Sequence, residues 1–98
     1  GNATPAIPLS ESIREISDSG NKAVSRDKYR IIQTPQCFVS SSIKKAFLQD
    51  YNSSFTDDAS VLEAAGEKIN LVEGNSENIK ITTPADFAIA LELINSIA

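Results

Sequence analysis

The sequence contains no histidine, methionine or tryptophan, and it has a single cysteine, Cys37. Without histidine the chain lacks the common imidazole metal ligand and general base. One cysteine excludes an internal disulfide and the usual multi-cysteine zinc clusters. We therefore expect no Ser-His-Asp or Cys-His catalytic arrangement, and we interpret Cys37 as a small core residue.

Glycine and long apolar runs are also scarce. The four glycines stand too far apart to build a Gly-rich phosphate loop. No apolar run approaches the ~20 residues of a membrane span, and the first residues lack the basic and apolar regions of a signal peptide. The net charge of −4 argues against binding to nucleic acid or an anionic membrane. We expect a cytoplasmic protein in a reduced compartment.

What is present is an ordinary globular composition, with 98 residues, 41% hydrophobic and 22% charged. This length suits one small domain. Alternation from Ala6 to Ile16, a turn signal at Asp18 to Asn21 and a possible return strand from Val24 to Asp27 predict a polar β-hairpin. Such a hairpin is marginal alone, so we expect residues 10–27 to form an arm that leans on another surface.

Residues 28–98 show alternating strand and helix patterns, which indicate an α/β fold. The predicted strands are Tyr29 to Gln33, Ile69 to Glu73 and Ile79 to Ile81. Helices are predicted at Ser40 to Tyr51, from Thr56 to Gly66, and from the cap Thr83 with Pro84 and Asp86 in the first turn. The side chains predicted to face inward are Ile43, Ala46, Phe47 and Tyr51; Val61, Leu62 and Ala65; and Phe87, Ala90, Leu91 and Ile94. These strands are too few for a complete doubly wound sheet.

Four side chains suit phosphate binding, and each has a structural alternative. Lys80, between Ile79 and Ile81, could hold a phosphate near a strand end or be a solvated edge-strand lysine. Arg26 could bind phosphate in a bidentate manner or lie in a solvated hairpin. Thr34 could face a ligand or belong to an ordinary turn. Thr56 could mark an anion site at a helix start or be a plain N-cap.

Acidic residues give no clear metal site. Asp57 and Asp58 stand where first-turn acids complement a helix dipole, and no third acidic ligand follows at a recognisable spacing. The residues alone therefore indicate an α/β protein with scattered phosphate-type side chains.

Ordered sequence blocks carry a stronger signal than any single residue. Their order is Glu11-Ser12, Arg26, Thr34-Pro35-Gln36, Thr56-Asp57-Asp58-Ala59-Ser60, Val72-Glu73-Gly74, Asn78-Ile79-Lys80-Ile81-Thr82 and Pro84-x-Asp86. Together they resemble the C-terminal part of the 2-C-methyl-D-erythritol 4-phosphate cytidylyltransferase family. The resemblance implies a Rossmann-like nucleotide-diphospho-sugar transferase fold whose projecting β-hairpin is a dimerisation arm.

The resemblance also implies a site shared between two subunits of a homodimer. Thr34, Thr56 and Lys80 would contact the sugar-alcohol phosphate from one subunit, with Lys80 also catalytic, while Ser12 and Arg26 would come from the partner's arm. Ser12 stands where family members usually have threonine. CTP and Mg²⁺ would be bound mainly by residues outside this chain, and the 98 residues alone are expected to be inactive.

Two alternatives remain open. Ribitol 5-phosphate cytidylyltransferase shares the Thr-Pro-Gln element, although its block after Thr-Asp usually differs from Asp-Ala-Ser. A non-catalytic dimerisation module could also keep this fold.

Overall fold

Strands and helices alternate along the computed structural model, which describes residues 1–97. The strands are β1 (Asn2–Pro8), β2 (Arg14–Ser17), β3 (Gly20–Ala23), β4 (Arg30–Ile32), β5 (Cys37–Phe38) and β6 (Leu71–Glu73). The helices are α1 (Ser40–Ala46), α2 (Asp58–Ala64) and α3 (Pro84–Ile97), with a short 3-10 turn at Arg26–Lys28. The predicted α/β class is confirmed.

β1 is the strand on which the main sheet is built. β4 and β5 pair with it in antiparallel orientation, and β6 pairs with it in parallel orientation. The antiparallel ladder is interrupted between β4 and β5, where residues 33–36 form a loop. Thr34 and Pro35, joined by a cis peptide bond, lie in this loop. The Thr-Pro-Gln element therefore lies in a loop at the break between two antiparallel pairings of β1.

The predicted hairpin is present, with different bounds. β2 and β3 form a separate two-stranded sheet around the turn Asp18–Ser19, with Ser17 opposite Gly20. Because this turn has only two residues, the return strand begins at Gly20, and the predicted strand from Val24 to Asp27 is wrong. The predicted alternation from Ala6 to Ile16 is likewise divided into two strands, with β1 ending at Pro8. Every residue of β2 and β3 is exposed.

The buried core lies between α1 and α2. Ala46, Val61 and Leu62 are buried there, with Phe38, Ile43, Phe55 and Ile69 packed against them. The prediction that Ala65 faces inward is wrong, since Ala59 is the buried alanine of α2. Gly66 follows α2 with φ +100°, a left-handed conformation that suits glycine at a helix end.

α1 is shorter than the predicted helix to Tyr51. The Gln49 side-chain amide donates to Ala46 O at 2.9 Å and to Val61 O at 2.9 Å. The backbone also tightens here, with Leu48 N donating to Lys45 O and Gln49 N to Ala46 O in place of the α-helical pattern, and the helix ends. Tyr51 and Phe47 are exposed rather than inward, and Tyr51 packs edge-on against Phe55.

Other predicted burial is also wrong. Cys37 is exposed, because strand alternation directs Phe38 toward the core and Cys37 to the other face. β4 was predicted as a buried strand, yet Ile31 and Ile32 are exposed. In α3, whose start matches the prediction, Phe87, Leu91 and Ile94 are exposed and Ala90 is half-buried.

The predicted strand from Ile79 to Ile81 is absent. Asn78 N and Ile79 N donate within a local turn, to Asn75 O and Glu77 O, and no strand of residues 1–97 pairs with this segment. Lys80 is therefore an exposed loop residue. No helix between Gly1 and Ile97 has the length and apolar character that crossing a membrane requires.

Candidate functional site

The loop between β4 and β5 is the centre of the candidate site. Thr34 is exposed there, and its carbonyl oxygen accepts a hydrogen bond of 2.6 Å from the Asn78 side-chain amide. Asn78 stands two residues before Lys80. This bond brings together two segments that are 44 residues apart in the chain.

The start of α2 is attached to the same loop. Gln36 Nε2 donates to Asp57 Oδ2 at 3.1 Å, and Gln36 Oε1 accepts from Ala59 N at 3.1 Å. Thr56 directly precedes this attachment. The structure thus collects the segments that carry Thr34, Thr56 and Lys80 around one loop.

The N-cap of α2 is Asp57, so the predicted cap at Thr56 is wrong. Asp57 Oδ1 accepts from Ser60 N at 2.8 Å, and Ser60 Oγ accepts from Asp57 N at 3.2 Å and Thr56 N at 3.1 Å. A carboxylate accepts the first-turn amides well, which explains why aspartate takes this position. The amides of Asp57, Ala59 and Ser60 are therefore already bonded, and what Thr56 offers a ligand is its exposed hydroxyl.

The two arm residues lie apart from this group. Arg26 Nη1 donates to Ser10 O at 2.8 Å, which ties the 3-10 turn to the segment between β1 and β2. Ser12 is exposed in that same segment. No hydrogen bond within residues 1–97 joins Ser12 or Arg26 to the loop of Thr34, so their predicted role in a shared phosphate site stays a prediction.

A cleft next to the start of α2 does not coincide with the cationic residues. It has a volume of about 410 Å³, lies beside Thr56 and includes Phe47, Tyr51 and Phe55 in its wall. Neither Thr34 nor Lys80 lines it. A phosphate needs cationic partners, and no lysine or arginine among residues 1–97 lines this cleft.

Metal binding finds no support within residues 1–97, where no group of three or more acidic or cysteine side chains is arranged to hold an ion. Asp57 is occupied as a helix cap. We assign no step to a metal through this chain.

Sequence reasoning missed the amides that assemble the site. Gln33, Gln36 and Asn78 each bond to a segment distant in sequence, but in the sequence analysis they are only letters of a motif or the end of a strand. A glutamine on each side of Thr34-Pro35 was the available signal. Such residues cannot be assigned partners until the fold is known.

Solved structures of cytidylyltransferases share this fold. The 2-C-methyl-D-erythritol 4-phosphate cytidylyltransferase of Thermus thermophilus matches with a TM-score of 0.77 at 28% identity, over 97% of this chain and 48% of that one. The bifunctional IspDF of Campylobacter jejuni matches with a TM-score of 0.70 at 35% identity, over 90% of this chain and 22% of that one. These neighbours define the class, an α/β cytidylyltransferase fold.

Sequence relatives identify the family. The family profile IspD, 2-C-methyl-D-erythritol 4-phosphate cytidylyltransferase, matches residues 1–96. The enzyme of that name from Bacteroides fragilis is 49% identical over 90 residues, which are 92% of this chain and 41% of the relative. That of Porphyromonas gingivalis is 44% identical over 97 residues, 98% of this chain and 44% of the relative. The chain belongs to this family, and it spans less than half the length of these relatives.

Proposed function

We propose that this chain is the substrate-binding and dimerisation part of a cytoplasmic enzyme that transfers CMP from CTP to 2-C-methyl-D-erythritol 4-phosphate. A phosphate oxygen of the sugar alcohol attacks the α-phosphorus of CTP, a new P–O bond forms, and the bond to pyrophosphate breaks. Family membership supports this reaction. The relatives reported above carry the methylerythritol name, so ribitol 5-phosphate is not favoured as the substrate.

One observation carries the proposal at the level of residues. The hydrogen bond from Asn78 to Thr34 O holds the segment of Lys80 against the loop that also anchors the start of α2. Lys80 supplies positive charge, and Thr34 and Thr56 supply hydroxyls. Together these groups would bind and neutralise the substrate phosphate, a contribution that depends on positioning and charge.

The exposed hairpin would complete the site from a second subunit. Its strands β2 and β3 form a sheet of their own with no buried residue, and Arg26 lies at its base. In a homodimer, Ser12 and Arg26 of the partner would reach the phosphate held by Lys80. A non-catalytic module would have the same arm without any need for these two side chains.

The test is made in the full-length protein with Arg26→Ala and Lys80→Ala. Each loses a charge-assisted contact worth about 1.5–3 kcal/mol, so each should weaken use of methylerythritol phosphate roughly tenfold or more while CTP binding stays unchanged. Lys44→Ala, which removes a cation from the exposed surface of α1, is the control and should match wild type.

Mixing the two variants separates a shared site from two separate ones. A mixed dimer contains one site with both residues intact, so partial activity should return. If mixed dimers form and remain as inactive as the parents, Arg26 and Lys80 do not serve one phosphate across an interface. Wild-type protein without turnover would instead indicate a non-catalytic module.

A further inference from the structure

Two glutamines flank Thr34-Pro35, and each is bonded to a different segment of the candidate site. Gln33 bonds to the turn before Lys80, and Gln36 bonds to the first turn of α2 after Thr56. Neither segment is attached to this loop by strand pairing. The side-chain amides therefore provide connections that the backbone ladders do not.

Gln33 is buried, and both polar atoms of its side-chain amide bond to the turn between Asn75 and Asn78. Its Nε2 donates to Asn75 O at 2.7 Å and to Asn78 O at 3.2 Å, while Oε1 accepts from Asn75 N at 3.2 Å. Gly74 allows this approach, because a Cβ built on it would overlap Gln33 Oε1. The backbone that leads to Lys80 is thus fixed at three points by one side chain.

Gln36 is half-buried and makes the corresponding connection to α2. It donates to the carboxylate of the cap Asp57 and accepts from Ala59 N. The bond to Asp57 holds the residue next to Thr56, so movement of Gln36 would shift the Thr56 hydroxyl relative to Thr34.

An uncharged amide suits position 33 for a physical reason. It both donates and accepts, so it can join a carbonyl and an N–H of the same turn. A carboxylate in its place would attract Lys80 and repel a bound phosphate, whereas the amide leaves the charge of Lys80 available to the ligand.

We propose that Gln33 and Gln36 are positioning residues that set where Lys80 and Thr56 stand relative to Thr34, and thereby determine affinity for the substrate phosphate. This rests on the proposed function, since it deepens the role of the same site. Neither glutamine need touch the substrate. Their effect is to keep three phosphate ligands, which are otherwise exposed, in one arrangement.

The principal test compares Gln33→Met and Gln36→Met with wild type in the full-length enzyme. KM for methylerythritol phosphate should rise roughly tenfold in each, because loosely held ligands must be ordered on binding, while KM for CTP stays within about twofold. The matched control is Gln49→Met. Gln49 also donates to two carbonyls, but it joins α1 to α2 and should leave both KM values unchanged.

A second variant perturbs the same contact without altering either glutamine. Gly74→Ala should displace the Gln33 amide, which is the movable partner, and reproduce the KM rise of Gln33→Met. Combining the two changes should add little beyond either one, because both remove the same connection.

Hydrogen–deuterium exchange gives a readout that does not depend on activity. Gln33→Met should speed exchange in residues 74–82 and Gln36→Met in residues 56–60, with Gln49→Met affecting neither. Equal KM changes in all three variants, or unchanged exchange in both segments, would overturn the positioning role. Wild type that shows no turnover, with exchange changed as expected, would refute the proposed function and leave the structural role of the amides standing.

Discussion

Thr4 is a buried residue whose hydroxyl has no hydrogen-bond partner among residues 1–97. Its side chain is 0% exposed in β1, although its backbone N–H donates to Asn70 O at 3.0 Å. A buried hydroxyl without a partner loses its hydration and gains nothing in return. Thr4 thus lowers the stability of the strand on which the main sheet depends.

Thr4→Val should raise the free energy of unfolding of the full-length protein by about 1 kcal/mol, since valine keeps the shape and removes the unsatisfied group. Urea unfolding measures the change. Thr4→Ser is the control: it keeps the hydroxyl, removes a methyl, and should lower stability by about 1 kcal/mol. A less stable valine variant would mean that the hydroxyl is bonded in solution.

Single residues also show how far sequence reasoning reaches into the site. Thr34 and Thr56 were selected from motifs, and the structure places their segments around one loop. The amides that hold these segments act over separations of 42 residues for Gln33 and Asn75 and 21 residues for Gln36 and Asp57. Local periodicity carries no information about such pairs. Whether the selected side chains bind phosphate stays a prediction.

At the scale of elements, the start of α3 was predicted correctly because its capping signal is local. Asp86 Oδ2 accepts from Thr82 Oγ1 at 2.9 Å and from the N–H groups of Thr82 and Thr83, and Thr83 Oγ1 accepts from Asp86 N. The strand predicted from Ile79 to Ile81 is wrong, because three alternating residues do not specify a strand without a neighbouring strand to pair with. Capping can be predicted from sequence, whereas pairing depends on the rest of the fold.

The cap of α3 should make its stability depend on pH. Hydrogen bonds to the carboxylate, first that from the Thr82 hydroxyl, lower the pKa of Asp86 below its usual value. Because the pKa is lower in the folded state, the ionised carboxylate stabilises the helix to its full extent at pH values above the ordinary aspartate pKa. This stabilisation disappears as the pH falls through the lowered pKa. Acidification should therefore release the first turn of α3.

Asp86→Asn removes the titrating group, so it should speed hydrogen exchange in α3 at neutral pH. The difference from wild type should shrink as pH falls below the ordinary aspartate range. Asp50→Asn removes the same charge from an exposed loop and should leave α3 unchanged. A constant difference between Asp86→Asn and wild type at every pH would show that the carboxylate charge does not act in this cap.

The whole molecule is extended for its length. Its radius of gyration is 16.4 Å, against about 13 Å for a compact domain of ~100 residues. The buried apolar residues within 1–97 are few, while the apolar side chains of β4, β6 and α3 are exposed. Composition alone predicted an ordinary globular balance, and it could not reveal this, because composition does not say which apolar residues find partners. The family relatives from Bacteroides fragilis and Porphyromonas gingivalis are more than twice as long.

We expect the 98-residue chain, prepared alone, to show no cytidylyl transfer. Transfer from CTP requires a pocket for the triphosphate, which Gly-rich backbone amides or helix N-termini normally supply. The four glycines stand at the first residue, in the hairpin, after α2 and after β6, and no two are close to each other in the sequence. The amides of Ala59 and Ser60 in the first turn of α2 are bonded to side chains, and residues 1–97 hold no group of three or more potential metal ligands. Pyrophosphate release with CTP, Mg²⁺ and methylerythritol phosphate measures the outcome, with the full-length enzyme as positive control. Turnover above the blank, from protein shown by mass spectrometry to contain no longer chain, would mean that these residues bind and activate CTP themselves.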